Sequence, residues 1–583
     1  MTTGERNLHW AELMVEALVR RGVDHFVICP GSRSSPLVLA LSQRSDVKSI
    51  VHQDERGAGY FAVGYARATG KAAAVVTTSG TAAVNLFPAI VEASTDNLPL
   101  IVITADRPPE LHDCGANQTI DQIRLYGDYI RTSIDFPCPD DIADLRTPLR
   151  EAEQALDHAF GQGHPTGPIH FNCRFREPLV PSHEAARQVT FPTESGTSPD
   201  ATAQRAGGAE ISEENLKAIR KIVKSSKQGL MVIGQLRHDN ERQAALNLSR
   251  TLSWPTLADV TSGIHGVESP LIAHCDLILA SEHFCGNHIP DTILHVGGRI
   301  TSKRLLQFTA DSQPRQYLHN SGDGIVYDPE HCVTLRTSFD NAFFCRALSD
   351  AYSEGKSDVE WLNAWSKAAK IARRVVTESC DAVTELTEPG IAFALSLRLN
   401  SRSALFLASS MPIRDVVSFG MISDVMPIAS NRVESGIEGT IASACGYAAG
   451  LNCPVTLLIG DQAFLHDLNS LSLVRQSKQP VVIVIVNNNG GRIFELLPIS
   501  EQKQILEPLF VAPHGMTFGG LANGFGIRHI EVRTRRELEQ AYVEASSNEA
   551  SIVIEALVEP AASREHRLSL IESVKKEVDA SAS

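Results

Sequence analysis

Pro454-Val-Thr-Leu-Leu-Ile-Gly-Asp461 and Pro480-Val-Val-Ile-Val-Ile-Val-Asn-Asn-Asn-Gly-Gly491 decide how this chain folds. Each is an apolar run of strand length, and unbroken Val/Ile/Leu runs belong to strands buried on both faces of a parallel sheet. The stretch between them has room for the crossover helix that a parallel pair requires. Asp461 and Asn488 therefore fall at the carboxyl ends of two strands, the edge where open parallel sheets collect ligands. A carboxylate, an amide oxygen and the main-chain oxygen of Gly490 are hard donors that suit Mg²⁺, which takes its other ligands from phosphate and water. Gly490 and Gly491 let the backbone turn in close to a diphosphate.

The same pattern repeats along the chain. In the first third, His25–Pro30, Ser49–His52, Ala73–Thr77, Leu98–Thr104 and Pro168–Asn172 read as strands between helical patterns. Gly229–Gly234, Leu277–Ala280 and Thr292–Val296 do so in the middle, and Ala404–Ala408 and Ser551–Glu555 in the last third. Strands alternating with helices mean βαβ units, so the chain is expected to be α/β, with three doubly wound, mostly parallel-sheet domains. The expected domains are 1–182, 210–350 and 351–565, with a polar Gly/Ser/Pro linker over 183–209 and a tail, 566–583. Leu568, Ile571, Val574 and Val578 give that tail an apolar helical stripe.

Composition narrows the function. Lys and Arg number 53 against 68 Asp and Glu, a net charge of −15, so nucleic acid and anionic lipid are poor partners for the surface as a whole. No apolar stretch is long enough to insert in a membrane. The eleven cysteines include no CxxC pair, which argues against a disulfide framework and for a reducing cytoplasm.

Gly460-Asp461 followed by Asn487-Asn488 resembles the metal–diphosphate motif of the thiamine diphosphate (ThDP) enzymes, which share this three-domain order. The resemblance implies ThDP and Mg²⁺ or Mn²⁺, with Asp461, Asn488 and the Gly490 carbonyl on the metal. It also requires a glutamate at a strand end in the first domain, to hydrogen-bond the cofactor's aminopyrimidine. Ser49-Ile-Val-His-Gln-Asp-Glu-Arg-Gly57 places Glu55 there, as the expected catalytic residue. Ser410, Ile437, Ile493 and Phe494 match cofactor-contact positions. One departure stands beside the metal motif: Gln462-Ala463 occupies a place where family members often carry a small or hydroxylated residue.

Within the family the chain resembles the branch that decarboxylates 2-oxoglutarate and adds the succinyl unit to isochorismate, on the way to menaquinone or phylloquinone. The matching words are Cys29-Pro-Gly-Ser-Arg-Ser-Ser-Pro36, Thr104-Ala-Asp-Arg-Pro-Pro109, Gly115-Ala-Asn-Gln118, Gly298-Arg-Ile-Thr-Ser-Lys-Arg304 and Ser430-Asn-Arg432. Ser32, Arg33, Arg107, Asn117, Gln118, Lys303, Arg414 and Arg432 fall on that branch's substrate positions. Planar Arg forks suit two dicarboxylic acids. The resemblance further implies a homodimer or homotetramer with active sites between subunits. Another ThDP-dependent 2-oxo acid lyase, an acetohydroxyacid synthase or a non-catalytic ThDP-binding protein remain alternatives at this level.

Overall fold

A computed structural model describes all residues except 146, 162–164, 183–212, 267, 353–357, 400, 424, 549 and 583. The linker expected over 183–209 lies outside the described residues. Among the described residues, seventeen strands form three sheets in which every pairing is parallel. The first contains β1 (His25–Ile28), β2 (Lys48–Val51), β3 (Ala73–Thr77), β4 (Leu100–Asp106), β5 (Thr132–Phe136) and β6 (Pro168–Arg174), in the order β2-β1-β3-β4-β6-β5. The second contains β7 (Gly229–Ile233), β8 (Thr256–Ala258), β9 (Thr292–Val296), β10 (Gln316–Asn320) and β11 (Leu335–Thr337), in the order β11-β10-β9-β7-β8. The third contains β12 (Ala404–Leu407), β13 (Ile428–Ala429), β14 (Val455–Gly460), β15 (Val481–Asn487), β16 (Arg528–Val532) and β17 (Ile552–Leu557), in the order β13-β12-β14-β15-β17-β16.

The first and third sheets thus share one topology. In each, the second strand lies on one side of the first and the third strand on the other, so the order reverses between β1 and β3 and again between β12 and β14. Such reversal points open a crevice at the carboxyl edge of a sheet. The continuous apolar runs are explained by burial: β15 is buried along its whole length, with β14 and β17 on its two sides.

By contacts the chain divides into two compact units. The first comprises Met1–Ala206, Glu438–Asn452 and Asp467–Lys478; the second comprises Gly207–Ile437, Cys453–His466 and Gln479–Ser583. In the first unit, helix Glu55–Thr69 packs against helix Thr440–Leu451 with glycine at the crossing. A Cβ on Gly64 would stand 2.0 Å from the Ser443 carbonyl oxygen, and one on Gly446 would stand 1.9 Å from that of Phe61. Glycine weakens a helix interior by about 1 kcal/mol relative to alanine, and here it permits backbone-to-backbone contact. In the second unit the middle and third sheets share one apolar core, from Leu230 and Leu277 to Leu405 and Val484.

Two expectations need correction. Leu277–Ala280 is not a strand: Cys275–Ile278 is a short helix inside the shared core, entered through His274 at φ +54°. A four-residue apolar run fits a buried helix turn as well as a strand. The C-terminal helix runs Pro560–Ala582; Leu570, Val574 and Val578 are buried in it, while Leu568 is 46% exposed. Between β14 and β15 the crossover is made by two short helices, Asp461–His466 and Leu471–Gln476.

Candidate active site

In the first unit the candidate residues gather along one rim, because all six strands point the same way. Glu55 opens helix Glu55–Thr69 just past β2, where Asp54 caps the helix by accepting from the Arg56 amide at 3.0 Å. The Glu55 carboxylate is half-buried and accepts from Asn85 Nδ2 at 3.1 Å. Arg33 follows β1 and is buried, donating to the Phe175 carbonyl at 3.0 Å and to the Glu177 carboxylate at 2.9 Å. Arg107 follows β4 and donates to Ser79 Oγ and, at 3.5 Å, to Gln118 Oε1. Gln118 holds a left-handed φ of +57° and donates in turn to the Ser79 carbonyl at 2.9 Å. Burial first, then the neighbouring Arg33 charge, lowers the affinity of Arg107 for its proton. Two like charges thus share a partly dry rim. Ser32 and Asn117 stand exposed on the same loops.

The second unit repeats the device on the rim of the third sheet. Ser410 follows β12 at φ +72°, a conformation that costs a non-glycine residue about 1–3 kcal/mol and that clusters at functional sites. Arg414 lies one turn on and donates to the Ser410 carbonyl at 2.5 Å. Arg432 follows β13 and donates to Ser435 Oγ at 3.2 Å. Burial depresses both guanidinium values, and for Arg432 the Arg414 charge is the next cause. Lys303 stands exposed at the start of helix Lys303–Asp311, which Ser302 caps. Among the described residues no hydrogen bond or ion pair is seen from Lys303 to Arg414 or Arg432.

Asp461 lies across the reversal point from Ser410, at the end of β14, and Asn488 follows β15. The Asp461 carboxylate is buried and accepts three hydrogen bonds: from Gln462 N at 2.6 Å, Gly490 N at 2.8 Å and His514 Nε2 at 3.2 Å. The Met516 amide donates to His514 Nδ1 at 3.0 Å, so the neutral ring carries its proton on Nε2 and donates to Asp461. Burial, the leading cause, raises the Asp461 value despite these donors. Gly490 holds φ +127°, and a Cβ there would lie 2.3 Å from the Val511 carbonyl oxygen. Asn489, at φ +60°, closes the loop by accepting from His514 N at 3.0 Å and Gly515 N at 2.8 Å. Asn488 donates through Nδ2 to Glu388 Oε1 at 2.5 Å, which turns its oxygen the other way.

These donors fit a divalent cation with outside ligands. A carboxylate offers about four lone-pair sites, and three are taken on Asp461. The Asn488 oxygen is not spent on Glu388, and the Gly490 carbonyl accepts one bond, from Arg492 N at 2.9 Å. Among the described residues no three His, Cys, Asp or Glu side chains form an all-protein metal cage, so a cation at these three oxygens would complete its shell with phosphate and water. Phe494 packs against Phe510 with ring centroids 5.3 Å apart; Ile493 shares its turn, Arg492–Leu496, and Ile437 is half-buried in the loop before helix Thr440–Leu451. The Gln462 side chain reaches the Ala512 carbonyl at 3.3 Å.

Sequence reasoning missed His514, Glu388 and Asn489. Glu388 reads as an ordinary first-turn acid after the Thr387 cap, and His514 lies in a loop with no period to mark it.

Residues 8–125 match "Thiamine pyrophosphate enzyme, N-terminal TPP binding domain", 207–407 match "Middle domain of thiamine pyrophosphate" and 421–556 match "Thiamine pyrophosphate enzyme, C-terminal TPP binding domain". A 2-succinyl-5-enolpyruvyl-6-hydroxy-3-cyclohexene-1-carboxylate synthase of Rubrobacter xylanophilus is 40% identical over 96% of each chain. One of Salinibacter ruber is 39% identical over 98% of this chain and 97% of its own. Protein PHYLLO, chloroplastic, of Arabidopsis thaliana is 34% identical over 94% of this chain and 34% of its own length. The chain belongs to the thiamine pyrophosphate enzyme family, alongside the 2-succinyl-5-enolpyruvyl-6-hydroxy-3-cyclohexene-1-carboxylate synthases.

Proposed function

We propose that this ThDP-dependent enzyme decarboxylates 2-oxoglutarate and adds the succinyl unit to isochorismate, giving 2-succinyl-5-enolpyruvyl-6-hydroxy-3-cyclohexene-1-carboxylate and CO₂. The observation that carries the substrate reading is the pair of arginine pairs, Arg33 with Arg107 and Arg414 with Arg432, each on the rim of a parallel sheet and two of them disfavoured by a like-charged neighbour. An acidic chain concentrates cation at these two places, and both substrates are dicarboxylic acids. The near-full-length relatives carry the name of the same product.

The cofactor supplies the electron sink for loss of CO₂ from a 2-oxo acid. The chain's own residues bind, orient and move protons. Glu55, steadied by Asn85, accepts a hydrogen bond from the cofactor's pyrimidine side. Asp461, Asn488 and the Gly490 carbonyl would hold Mg²⁺ or Mn²⁺ for the diphosphate, and His514 keeps the Asp461 carboxylate in one orientation. Ser410, Ile437, Ile493 and Phe494 border the cofactor. Arg33 exchanges the largely exposed Glu177 carboxylate for a substrate carboxylate. Ser32, Arg107, Asn117, Gln118, Lys303, Arg414 and Arg432 complete recognition of the two acids.

The functional assembly is a homodimer or homotetramer with active sites between subunits. Leu496, Leu497, Leu509 and Met516, exposed after the metal loop, supply apolar surface for a second copy. A cytoplasmic setting agrees with eleven unpaired cysteines, and no helix among the described residues is long and apolar enough to cross a membrane. Incubation with both acids, ThDP and Mg²⁺, followed by mass analysis of the product, tests the reaction. The adduct of both acids less CO₂ is expected; CO₂ release with isochorismate untouched would make the chain a different lyase.

A further inference from the structure

Behind Asn488 lies a chain of buried charge that the reaction as described does not use. Arg567, on the C-terminal helix, is 6% exposed. One of its nitrogens donates to the Asp415 carboxylate and another to Glu388 Oε2 at 2.6 Å. The other oxygen of Glu388, Oε1, accepts from Asn488 Nδ2 at 2.5 Å. Asp415 and Glu388 are buried as well. The same turn is fastened twice more to the C-terminal helix: Glu388 N donates to Ser563 Oγ at 2.9 Å, and Thr387 Oγ1 meets His566 Nδ1 at 2.8 Å.

Two carboxylates on one guanidinium leave an excess negative charge in a poorly solvated place, an arrangement that stabilises a fold less well than apolar packing of the same volume. Its geometry serves orientation instead. A carboxylate only accepts, so Glu388 forces the amide nitrogen of Asn488 toward itself and the amide oxygen away. An unrestrained asparagine presents either end of its amide, and only the oxygen can ligate a cation. The residual negative charge, one hydrogen bond from the ligand, also favours a cation electrostatically.

We propose that Glu388, held by Arg567, is a positioning residue that fixes the amide of Asn488 with its oxygen toward the divalent cation. This rests on the metal reading given under the proposed function. The C-terminal helix thereby contributes to cofactor capture.

The test titrates Mg²⁺ at fixed ThDP with full-length protein, reads half-saturation of ThDP binding by equilibrium dialysis, and records the unfolding temperature of each metal-free variant. Glu388→Gln is expected to raise the Mg²⁺ needed about tenfold, because the glutamine amide can face Asn488 with its own nitrogen and turn the ligand round. Asp415→Asn, which alters the same arginine but leaves the Glu388–Asn488 bond, is expected to stay within about twofold. Adding Asn488→Asp to Glu388→Gln is expected to rescue the Mg²⁺ requirement, since a carboxylate has oxygen at both ends. An unchanged requirement in Glu388→Gln, equal increases in Glu388→Gln and Asp415→Asn, or failure of the rescue would each overturn the proposal. If Glu388→Gln does not fold, Arg567→Lys, which keeps the charge but loses the fork, takes its place with an expected rise of at least about threefold, and no rise overturns the proposal. Asn488→Ala separates the two readings: if it leaves the Mg²⁺ requirement unchanged, the metal assignment itself has failed.

Discussion

Replacing Gly490 by alanine puts the cofactor loop to a quantitative test. The residue sits at φ +127°, and its new Cβ would lie 2.3 Å from the Val511 carbonyl oxygen. That oxygen already accepts from Gly491 N at 2.8 Å. Holding a non-glycine residue at such a φ costs about 1–3 kcal/mol, and displacing the carbonyl from its hydrogen bond costs about 1 kcal/mol more. The metal-free loop can relax away from the clash, so most of the cost falls on binding, where Gly490 must return to donate to Asp461 and offer its carbonyl. The sum of about 2–4 kcal/mol predicts a ThDP dissociation constant raised about 30- to 1,000-fold at fixed Mg²⁺, with a small change in unfolding temperature. Gly524→Ala is the control: a Cβ there meets nothing within 4 Å, so binding is expected to stay within about twofold. Isothermal titration of each variant with ThDP gives the answer. Native affinity in Gly490→Ala would refute the reading of this loop as a close backbone cradle.

Glu55→Gln should bind ThDP near normally but lower kcat by about 10²–10⁴, the usual range for a lost proton-transfer group; wild-type turnover would remove Glu55 from the mechanism. Arg432→Met should raise the Michaelis constant for one of the acids about 10- to 100-fold, from the loss of a charge-assisted hydrogen bond, while the unfolding temperature stays equal or rises because the Arg414 charge is relieved. A fall in stability with unchanged kinetics would make Arg432 structural. Burial holds the imidazoles of His52 and His274 down to about 4 and that of His170 to about 3, against an ordinary 6.5. Each is taken up as a proton acceptor chiefly on unfolding, so its contribution is present above about pH 6.5 and is lost as the pH falls toward 4. The free energy of unfolding should drop across that window, and His274→Gln should flatten the drop by an amount on the order of 3 kcal/mol. A profile unaltered by the substitution would count against the assignment.

The interior of each sheet was legible from pattern alone because parallel strands flanked on both sides are buried nearly end to end and mainly apolar, as β3, β4, β9, β14 and β15 are. The strands not anticipated are β5, β8, β11, β13 and β16, all at sheet edges, and β10, whose Gln316, His319 and Asn320 break the apolar run. An edge strand packs on fewer neighbours, so its sequence needs less apolar surface and leaves less signal. At the candidate site, the rim placement of Asp461 and Asn488 was legible because main-chain topology alone puts the residue after a strand on the rim, whereas Glu55, four residues past β2, was singled out only through the family resemblance. Glu388 and His514 could not, because each reaches Asn488 or Asp461 from a distant segment by a side-chain hydrogen bond, and Arg567 reaches only Glu388 behind them; such contacts leave no period in the sequence.

The cofactor centre is tested most directly by diffraction from crystals grown with ThDP and Mn²⁺, with data collected at a wavelength where manganese scatters anomalously. A single peak about 2.0–2.4 Å from an Asp461 carboxylate oxygen, Asn488 Oδ1 and the Gly490 carbonyl, and next to the diphosphate, is the result expected. Manganese on His514 alone, or no peak at β14 and β15 while ThDP is bound elsewhere, would contradict it.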